Sequence, residues 1–335
     1  MNEVLNPPDS AEVPAFKDRR TGLIVFGVLQ ILFGALCVLM ILLMVLGQVM
    51  ASKMGQAPLH LRQMIPGAMF YAIAAATLVV LGIGSCQVRR WARALSLVVS
   101  WSWLVLGVVS LAAMILFLPS ILKAPQAQGQ ALPETAKTIM LIVSLLMIGI
   151  FFIVVPGGFV LFFQSRHVKA TCETFDPVMR WTDACPLPVL ALSLWLAFTA
   201  VSFLAMPFSM NGVLPAFGRL VSGPLGMVCH VILAGLAGYV AWATYRLRPV
   251  GWWMMVAGVC AGTTSAFLTF TQIDLAQMYL QMGYPEQQIE MMKQYSFMQG
   301  NGLAYFSLAG LVPMLGYLLF VKRYFRSSAE PGRVA

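Results

Sequence analysis

Charged residues are scarce in this chain, and motifs that carry chemistry are absent. Of its 335 residues only 10% are Asp, Glu, Lys or Arg, whereas 60% are apolar. A soluble domain of this length cannot bury so much apolar surface, so the composition excludes a soluble globular fold. The sequence also has no glycine-rich nucleotide loop and no catalytic motif. It therefore predicts a class of protein without predicting an activity or a cofactor.

Carboxylates are missing from the long apolar runs of the chain. All twelve Asp and Glu residues lie outside those runs, and Asp274 comes closest to one. Carriers that are coupled to protons or cations usually keep an acidic residue at membrane depth. An intramembrane enzyme needs His, Asp, Glu or an activated Ser clustered at one depth. The absence of both patterns argues against ion-coupled transport and makes an enzyme the least favoured class.

The chain contains long runs of apolar residues. A helix of about 20 apolar residues crosses the hydrocarbon core of a bilayer, because its backbone groups are satisfied within the helix. Eight such runs occur, at 22–48, 66–86, 94–118, 139–163, 187–208, 223–244, 250–272 and 302–321. The sequence therefore predicts an all-α integral membrane protein with eight transmembrane helices.

Because successive loops between eight spans alternate between the two faces of the membrane, each loop can be assigned to one face. Positive charge is distributed unevenly between these two faces. One side would carry fifteen of the 21 Lys and Arg residues, in segments 1–21, 87–93, 164–186, 245–249 and the segment that follows residue 321. Because basic loops stay in the cytoplasm during insertion, both termini are expected to be cytoplasmic. The net charge of +9 then reflects contact with an anionic leaflet, and it requires no nucleic-acid partner.

The second half of the chain repeats features of the first. Val155-Pro156 in the fourth run matches Val312-Pro313 in the eighth, and the turn Arg89-Arg90-Trp91 matches Arg246-Leu247-Arg248. The offset stays at about 157 to 160 residues. This pattern predicts two parallel four-helix repeats, related by an axis along the membrane normal, because a unit of four spans enters from the same side each time.

These boundaries divide the chain into five parts. They are a disordered cytoplasmic leader (1–21), a first membrane repeat (22–163), a cytoplasmic linker (164–186), a second membrane repeat (187–324) and a cytoplasmic tail (325–335). Within the second repeat, residues 273–300 are expected to form an external helical hairpin. Gly283 would end its first helix, and Pro285 with Glu286 would begin its second.

Proline residues interrupt two of the predicted spans. Pro156, followed by Gly157 and Gly158, lies in the fourth span, and Pro313 lies in the eighth. Each proline removes a backbone hydrogen bond, which makes these four residues candidates for a hinge or for a broken helix that lines a cavity. An ordinary kink, with the freed groups satisfied by neighbouring helices, is the commoner outcome.

Polar and small residues of the second repeat are the candidates for a cavity or a packing surface. His230 is the only ionisable residue well inside a span, and Thr263, Thr264 and Ser265 follow in the next span. A neutral histidine that hydrogen-bonds a neighbouring helix is commoner than a proton relay or a metal ligand. Gly258-x-x-x-Gly262 favours close helix packing within the bundle over a dimer face.

The linker 164–186 holds the weak candidates for a metal site. His167, Cys172 and Cys185 could supply three ligands, but structural zinc sites have more closely spaced pairs such as Cys-x2-Cys. We therefore expect no metal there. The mixed charges of the linker are instead expected to pair with one another above the basic interface, in a structural role.

Three stretches of the sequence resemble a group of uncharacterised bacterial multi-pass membrane proteins. The stretches are Arg166 to Glu173, Trp181-Thr182-Asp183 with Cys185 to Pro188, and the turn Met282 to Glu286. The resemblance covers most of the chain. It implies the inner membrane of a bacterium, and it implies no catalytic activity.

Three classes of function remain after these exclusions. The favoured class is a non-enzymatic membrane scaffold or accessory protein that binds lipid or partner proteins, including a second copy of the chain. The alternative is a channel or carrier for a small neutral or apolar molecule, without proton or cation coupling. The parallel repeats, the paired prolines and the polar residues Thr263 to Ser265 favour this alternative. An intramembrane enzyme is the third class.

Overall fold

The computed structural model of the chain describes residues 16–53, 61–123, 134–293 and 302–327. Its helices are α1 (Arg20–Lys53), α2 (Leu61–Cys86), α3 (Arg90–Lys123), α4 (Glu134–Gly149), α5 (Val155–Gln164), α6 (Arg166–Phe175), α7 (Leu187–Ser209), α8 (Gly223–Tyr245), α9 (Pro249–Gln272), α10 (Leu275–Gln281), α11 (Glu286–Lys293) and α12 (Gly302–Ser327). The structure also has two strands, β1 (Leu214–Ala216) and β2 (Arg219–Val221), a π-helical segment (Ile150–Val154) and a short 3-10 helix (Trp181–Asp183). Most of the predicted leader and tail, and the predicted hairpin beyond residue 293, lie outside the described residues.

Eight helical stretches of the described chain are long and apolar enough to cross a membrane. They are Arg20–Met50, Met64–Cys86, Arg90–Leu116, Thr138–Gln164, Leu187–Ser209, Gly223–Tyr245, Pro249–Gln272 and Gly302–Phe325. Each overlaps one of the predicted runs, so the prediction of a helical multi-pass membrane protein is confirmed. Several stretches extend a few residues beyond the apolar run, because a long side chain such as that of the exposed Arg20 can keep its charge in water at the interface.

The spanning helices pack in four pairs. These are α1 with α2, α3 with α5, α7 with α8, and α9 with α12. The two halves of the chain meet where α7 packs against α2 and α3. Across that boundary, Trp195 Nε1 on α7 donates a hydrogen bond to Ser102 Oγ on α3 (2.7 Å).

The α1–α2 pair is held together by small residues at its crossing. A β-carbon at Gly27 would lie 2.7 Å from the carbonyl oxygen of Gly82, and one at Gly34 would lie 3.1 Å from that of Ala75. Only small residues allow helix backbones to approach this closely. Glycines seven residues apart on α1 therefore form a close contact along this helix pair.

A buried polar group joins this pair to α3. The Gln30 side chain is 2% exposed. Its Nε2 donates to Ser96 Oγ (2.8 Å), and its Oε1 accepts from Ser85 Oγ (3.2 Å). A buried amide that is satisfied in this way fixes the register of the helices that carry its partners, here α1, α2 and α3.

The fourth span is interrupted by a π-helical segment, Ile150–Val154, between α4 and α5. The N–H of Val155 donates to the carbonyl of Ile150, five residues earlier, which is the wider π pattern. Pro156 follows directly and has no N–H to donate to Phe152. In contrast, Pro313 lies inside the uninterrupted helix α12.

A small cap covers one end of the second half and consists of β1, β2, α10 and α11. Its buried core is formed by Val213, Met278 and Met282. Asp274 caps α10, and Gly283 ends the turn after it with a φ of +88°. The two short helices lie where the sequence predicts them. The antiparallel β-hairpin was not predicted, because three-residue strands are too short to show an alternating pattern.

The opposite end of the bundle is the basic end, formed by residues 16–20, 87–93, 164–186, 245–249 and 317–325. Direct contacts join these segments. The Lys17 N–H donates to His167 Nδ1 (3.4 Å), and the Tyr245 hydroxyl donates to the carbonyl of Trp181 (2.9 Å). Lys322 Nζ lies 4.5 Å from the centroid of the Trp252 ring. The linker therefore connects the two halves of the bundle at this end.

Candidate functional site: the linker at the basic end

The first half of the linker is the short amphipathic helix α6. Its buried face, formed by Val168, Thr171 and Cys172, packs towards the α1–α3–α5 core. Thr171 Oγ1 accepts the N–H of Arg19 (3.2 Å) and donates to the carbonyl of His167 (2.8 Å). These bonds attach the start of α1 to the linker.

A buried carboxylate stands at the centre of the linker. The Asp176 side chain is only 4% exposed, and it lies 3.9 Å from Arg89 and 3.6 Å from Arg180. It also accepts the backbone N–H of Arg90 (3.3 Å) at the start of α3. A buried charge is tolerated only when it is paired and hydrogen-bonded, and Asp176 has both kinds of partner. It therefore fixes the second part of the linker to the α2–α3 turn.

Arg90 connects two further acidic residues of the linker. Its guanidinium lies 3.7 Å from Glu173 and 3.6 Å from Asp183. Glu173 also pairs with Lys169 on the same helix (3.9 Å). The structure thus contains the mutual pairing of linker charges that the sequence predicts, and it extends this pairing to the arginines of the α2–α3 turn.

An open groove lies between the start of α3 and the linker. We call it the Trp91 groove; it has a volume of about 540 Å³ and is lined by Trp91, Leu95, Arg180 and Trp181. Two indole rings, one leucine and one guanidinium make it largely apolar with a single positive group. Trp181 is 51% exposed beside it.

Pairs of a cation and an aromatic ring surround the rest of the basic end. Arg248 lies 4.2 Å from the centroid of the Trp242 ring, and Arg323 lies 4.2 Å from that of Phe320. Such pairs are stabilised by the charge distribution of the ring. Aromatic and basic residues together are typical of the interface between a membrane and water.

The three weak metal candidates of the linker face different surroundings. His167 Nδ1 accepts a hydrogen bond from the leader, whereas Cys172 is part of the hydrophobic core. Burial raises the pKa of the Cys172 thiol to about 11, against the smaller opposing effect of Arg93. Burial likewise raises the pKa of the Cys185 thiol to about 11. Thiolates are the metal-binding form of cysteine, so both environments disfavour ligation. Among the described residues, no group of three or more His, Cys, Asp or Glu side chains could hold a metal ion.

The candidate cavity residues of the second half have separate partners. His230 is 1% exposed, and its Nδ1 bonds the carbonyl of Gly226 (2.8 Å) on its own helix. A carbonyl only accepts, so Nδ1 carries a hydrogen.

Thr264 on α9 donates to the carbonyl of Cys260 (2.9 Å), which lies on the same helix. Ser265 Oγ accepts the N–H of Phe217 (3.0 Å) and so holds the cap. Thr263 is half-buried next to them on α9.

The candidate packing and hinge glycines share one property. A β-carbon at Gly258, Gly262, Gly157 or Gly158 would meet no atom within 4 Å among the described residues. Among the described residues, no helix therefore packs closely against Gly258 or Gly262, as the predicted packing role would require. The hinge role of Pro156, Gly157, Gly158 and Pro313 stays a prediction, since only the first proline follows a π-helical segment.

Sequence reasoning missed several residues that organise the structure. The spacing Gly27-x6-Gly34 was visible and indicates a tight helix crossing. Gln30 was a further signal, because a polar amide inside an apolar run needs a buried partner. The central place of Asp176 had no sequence signal, since two of its three partners, Arg89 and Arg90, lie in a distant segment of the chain.

Comparison of the chain with protein-family models, with curated proteins and with solved structures finds no match.

Proposed function

We propose that the chain is a non-enzymatic membrane scaffold that binds anionic lipid and partner proteins at its basic end. The observation that carries this proposal is the linker, whose ion pairs join α6 and the segment 176–183 to the α2–α3 turn at that end. Around it, two arginine side chains lie over exposed aromatic rings. Such a surface has both the charge and the amphipathic side chains that favour contact with anionic lipid headgroups.

The proposed orientation places both termini and the linker in the cytoplasm of a bacterial inner membrane. It is supported by the concentration of Lys and Arg in the segments that form the basic end. Reporter fusions test it. A reporter that is active only in the cytoplasm should work after residue 335 and fail when it is inserted within 124–133. The reverse pattern would contradict the orientation.

We further propose that the chain arose by duplication into two parallel four-helix repeats. The two tight turns support this. Val88 and Leu247 both have positive φ values, of 58° and 57°, which are rare for residues with a side chain. The N–H groups of both residues donate to the carbonyl three residues earlier, and those of the next residues, Arg89 and Arg248, donate five residues back. Each feature recurs 159 residues later along the chain.

Helix packing supports the same duplication. In each half, the first spanning helix packs with the second and the third with the fourth. The fourth residue of α3, Arg93, donates from Nε to the carbonyl of Phe163 (3.1 Å). The fourth residue of α9, Trp252, donates from Nε1 to the carbonyl of Leu318 (2.8 Å). Two different side chains thus make the same kind of bond to the last helix of their half.

A carrier for a small neutral or apolar molecule is the second candidate function. One observation favours it, the π-helical segment Ile150–Val154 directly before Pro156, because such segments are frequent at functional sites. Uptake of small neutral solutes into vesicles that contain the protein would measure this activity. Uptake no faster than into protein-free vesicles would count against the carrier.

Lipid selectivity tests the scaffold proposal. The full-length protein is reconstituted with equal amounts of phosphatidylglycerol and phosphatidylcholine, extracted in mild detergent and analysed by native mass spectrometry. We expect phosphatidylglycerol to be enriched on the protein, and the enrichment to fall with added salt, because exposed charges are screened. Equal retention of the two lipids would contradict the proposal.

A further inference from the structure

The Trp91 groove is the described cavity that combines a cation with an apolar surface. Three of its four lining residues are Trp91, Leu95 and Trp181, and the fourth is Arg180. The groove lies beside the first two turns of α3, which is a spanning helix that begins at Arg90. At that depth, the molecules next to the protein are lipids, with their headgroups level with the helix start.

Three of the four lining residues have contacts that hold their ring or their backbone in place. The Trp91 ring lies against Gly84, where a β-carbon would come within 2.9 Å of it. The carbonyl of Trp181 accepts the Tyr245 hydroxyl (2.9 Å). Arg180 donates its backbone N–H to Asp183 (3.0 Å). The groove is therefore formed before a ligand arrives, which lowers the entropic cost of binding.

Arg180 presents its charge to the groove in a fixed orientation. Its Nε, the inner nitrogen of the guanidinium, pairs with Asp176 (3.6 Å), while the side chain stays 38% exposed. A guanidinium that is oriented by one carboxylate can still donate to a phosphate from its outer edge, because it carries five N–H donors.

The charge around the groove complements an anion. Five cationic side chains of the α2–α3 turn and the linker, those of Arg89, Arg90, Arg93, Lys169 and Arg180, face three carboxylates, those of Glu173, Asp176 and Asp183. The positive excess remains after all the pairs are formed. An anionic headgroup would therefore lower the electrostatic free energy of this region.

We infer that the Trp91 groove binds one anionic phospholipid, with its phosphate on Arg180 and its acyl chains along Leu95 and the adjoining surface of α3. This inference rests on the proposed function, in which the basic end faces an anionic leaflet, and it adds a single built site to that general attraction. The indole rings of Trp91 and Trp181 would flank the glycerol region, where aromatic side chains are favoured.

Native mass spectrometry with graded collisional activation tests the site. Wild-type protein from vesicles of phosphatidylglycerol and phosphatidylcholine should keep one phosphatidylglycerol per chain after the loosely held lipids are removed. Arg180→Gln should lower this retention about tenfold, since one charge-assisted phosphate contact is lost. Leu95→Trp should lower it similarly by filling the groove, although it removes no charge and no ion pair.

A matched control separates the site from the general charge effect. Arg248→Gln removes a cation from the basic end outside the groove and should leave the tightly held lipid in place. If both groove variants keep that lipid while phosphatidylglycerol remains enriched overall, the site is overturned and the proposed function stands. If wild-type protein shows no enrichment at all, the proposed function fails first. Unchanged thermal unfolding of Leu95→Trp would show that its effect is not due to misfolding.

Discussion

The backbone carbonyl oxygen of Phe152 lies directly against the α-carbon of Gly107, in a place that no larger residue could occupy. Phe152 belongs to the π-helical segment that precedes Pro156, so the carbonyl sits where the fourth span departs from α-helical geometry. The contact brings α3 onto this irregular turn. A glycine on one helix is thus matched to a proline-associated irregularity on another, and the pair fixes how closely the two helices pack.

Gly107→Ala should therefore destabilise the protein. The added methyl group would overlap the Phe152 carbonyl, and relief requires α3 to move away from the fourth span. Overpacking of this kind costs about 1–3 kcal/mol. The midpoint of thermal unfolding in mild detergent measures the effect. Gly258→Ala is the matched control, because a methyl group there meets no described atom and alanine favours the helix. Equal midpoints for the two variants would contradict the predicted contact.

Asp176→Asn should loosen the linker. The substitution removes the carboxylate that pairs with Arg89 and Arg180, and it leaves two arginines without their partner. Loss of one member of a buried charge pair costs about 3–5 kcal/mol when both groups are buried, and less here because both arginines are partly exposed. Limited proteolysis between residues 164 and 186 should therefore become faster.

The control for this prediction is Glu173→Gln. Glu173 is part of the same network, but its side chain is 42% exposed, and exposed pairs contribute about 1 kcal/mol or less. Proteolysis of this variant should stay near the wild-type rate. If the two variants are cleaved equally fast, the central role of Asp176 is wrong.

How far the sequence predicts this structure depends on the range of the interactions involved. The eight spans are visible because a lipid environment demands about 20 apolar residues in a row, and that is a local property. The contact of Gly107 with Phe152 and that of Asp176 with Arg89 are not visible, because the partners are 45 or more residues apart along the chain. His230 shows the opposite case. It stands out in the sequence, yet its ring bonds the nearest carbonyl of its own helix.

The two tight turns offer a test of the proposed duplication. In the first half, Gly84 faces Ala92, and a β-carbon at Gly84 would lie 2.6 Å from that of Ala92. In the second half, the residues 159 positions later are Ala243 and Gly251. The glycine of the second half therefore lies on the other side of the same contact. One glycine and one alanine therefore suffice at this crossing, in either order.

We predict that exchanging the two residues restores stability that the single change removes. Gly84→Ala alone should lower the unfolding midpoint, because two β-carbons then overlap. Adding Ala92→Gly recreates the order of the second half and should recover much of the loss, leaving only the contact with Trp91. The double-mutant cycle should give a favourable coupling of about 1 kcal/mol or more. Additive effects would show that the two turns do not share one geometry.

Two buried thiols should make stability depend on alkaline pH. Burial raises the pKa of Cys172 and of Cys185 from an ordinary value of 9.0 to about 11. Between pH 9 and 11, the unfolded chain therefore releases protons that the folded chain retains. Stability is fully present below pH 9 and falls as the pH rises to 11, because ionisation favours the unfolded state.

The double variant Cys172→Ala/Cys185→Ala removes this contribution. Its free energy of unfolding should be lower than that of the wild type at pH 8, because two buried sulfur atoms are lost, but it should decline less steeply between pH 9 and 11. Unfolding midpoints measured at half-unit pH steps give the two slopes. Parallel curves for the two proteins would mean that the linker thiols ionise in the folded state as readily as in the unfolded chain, contrary to their burial.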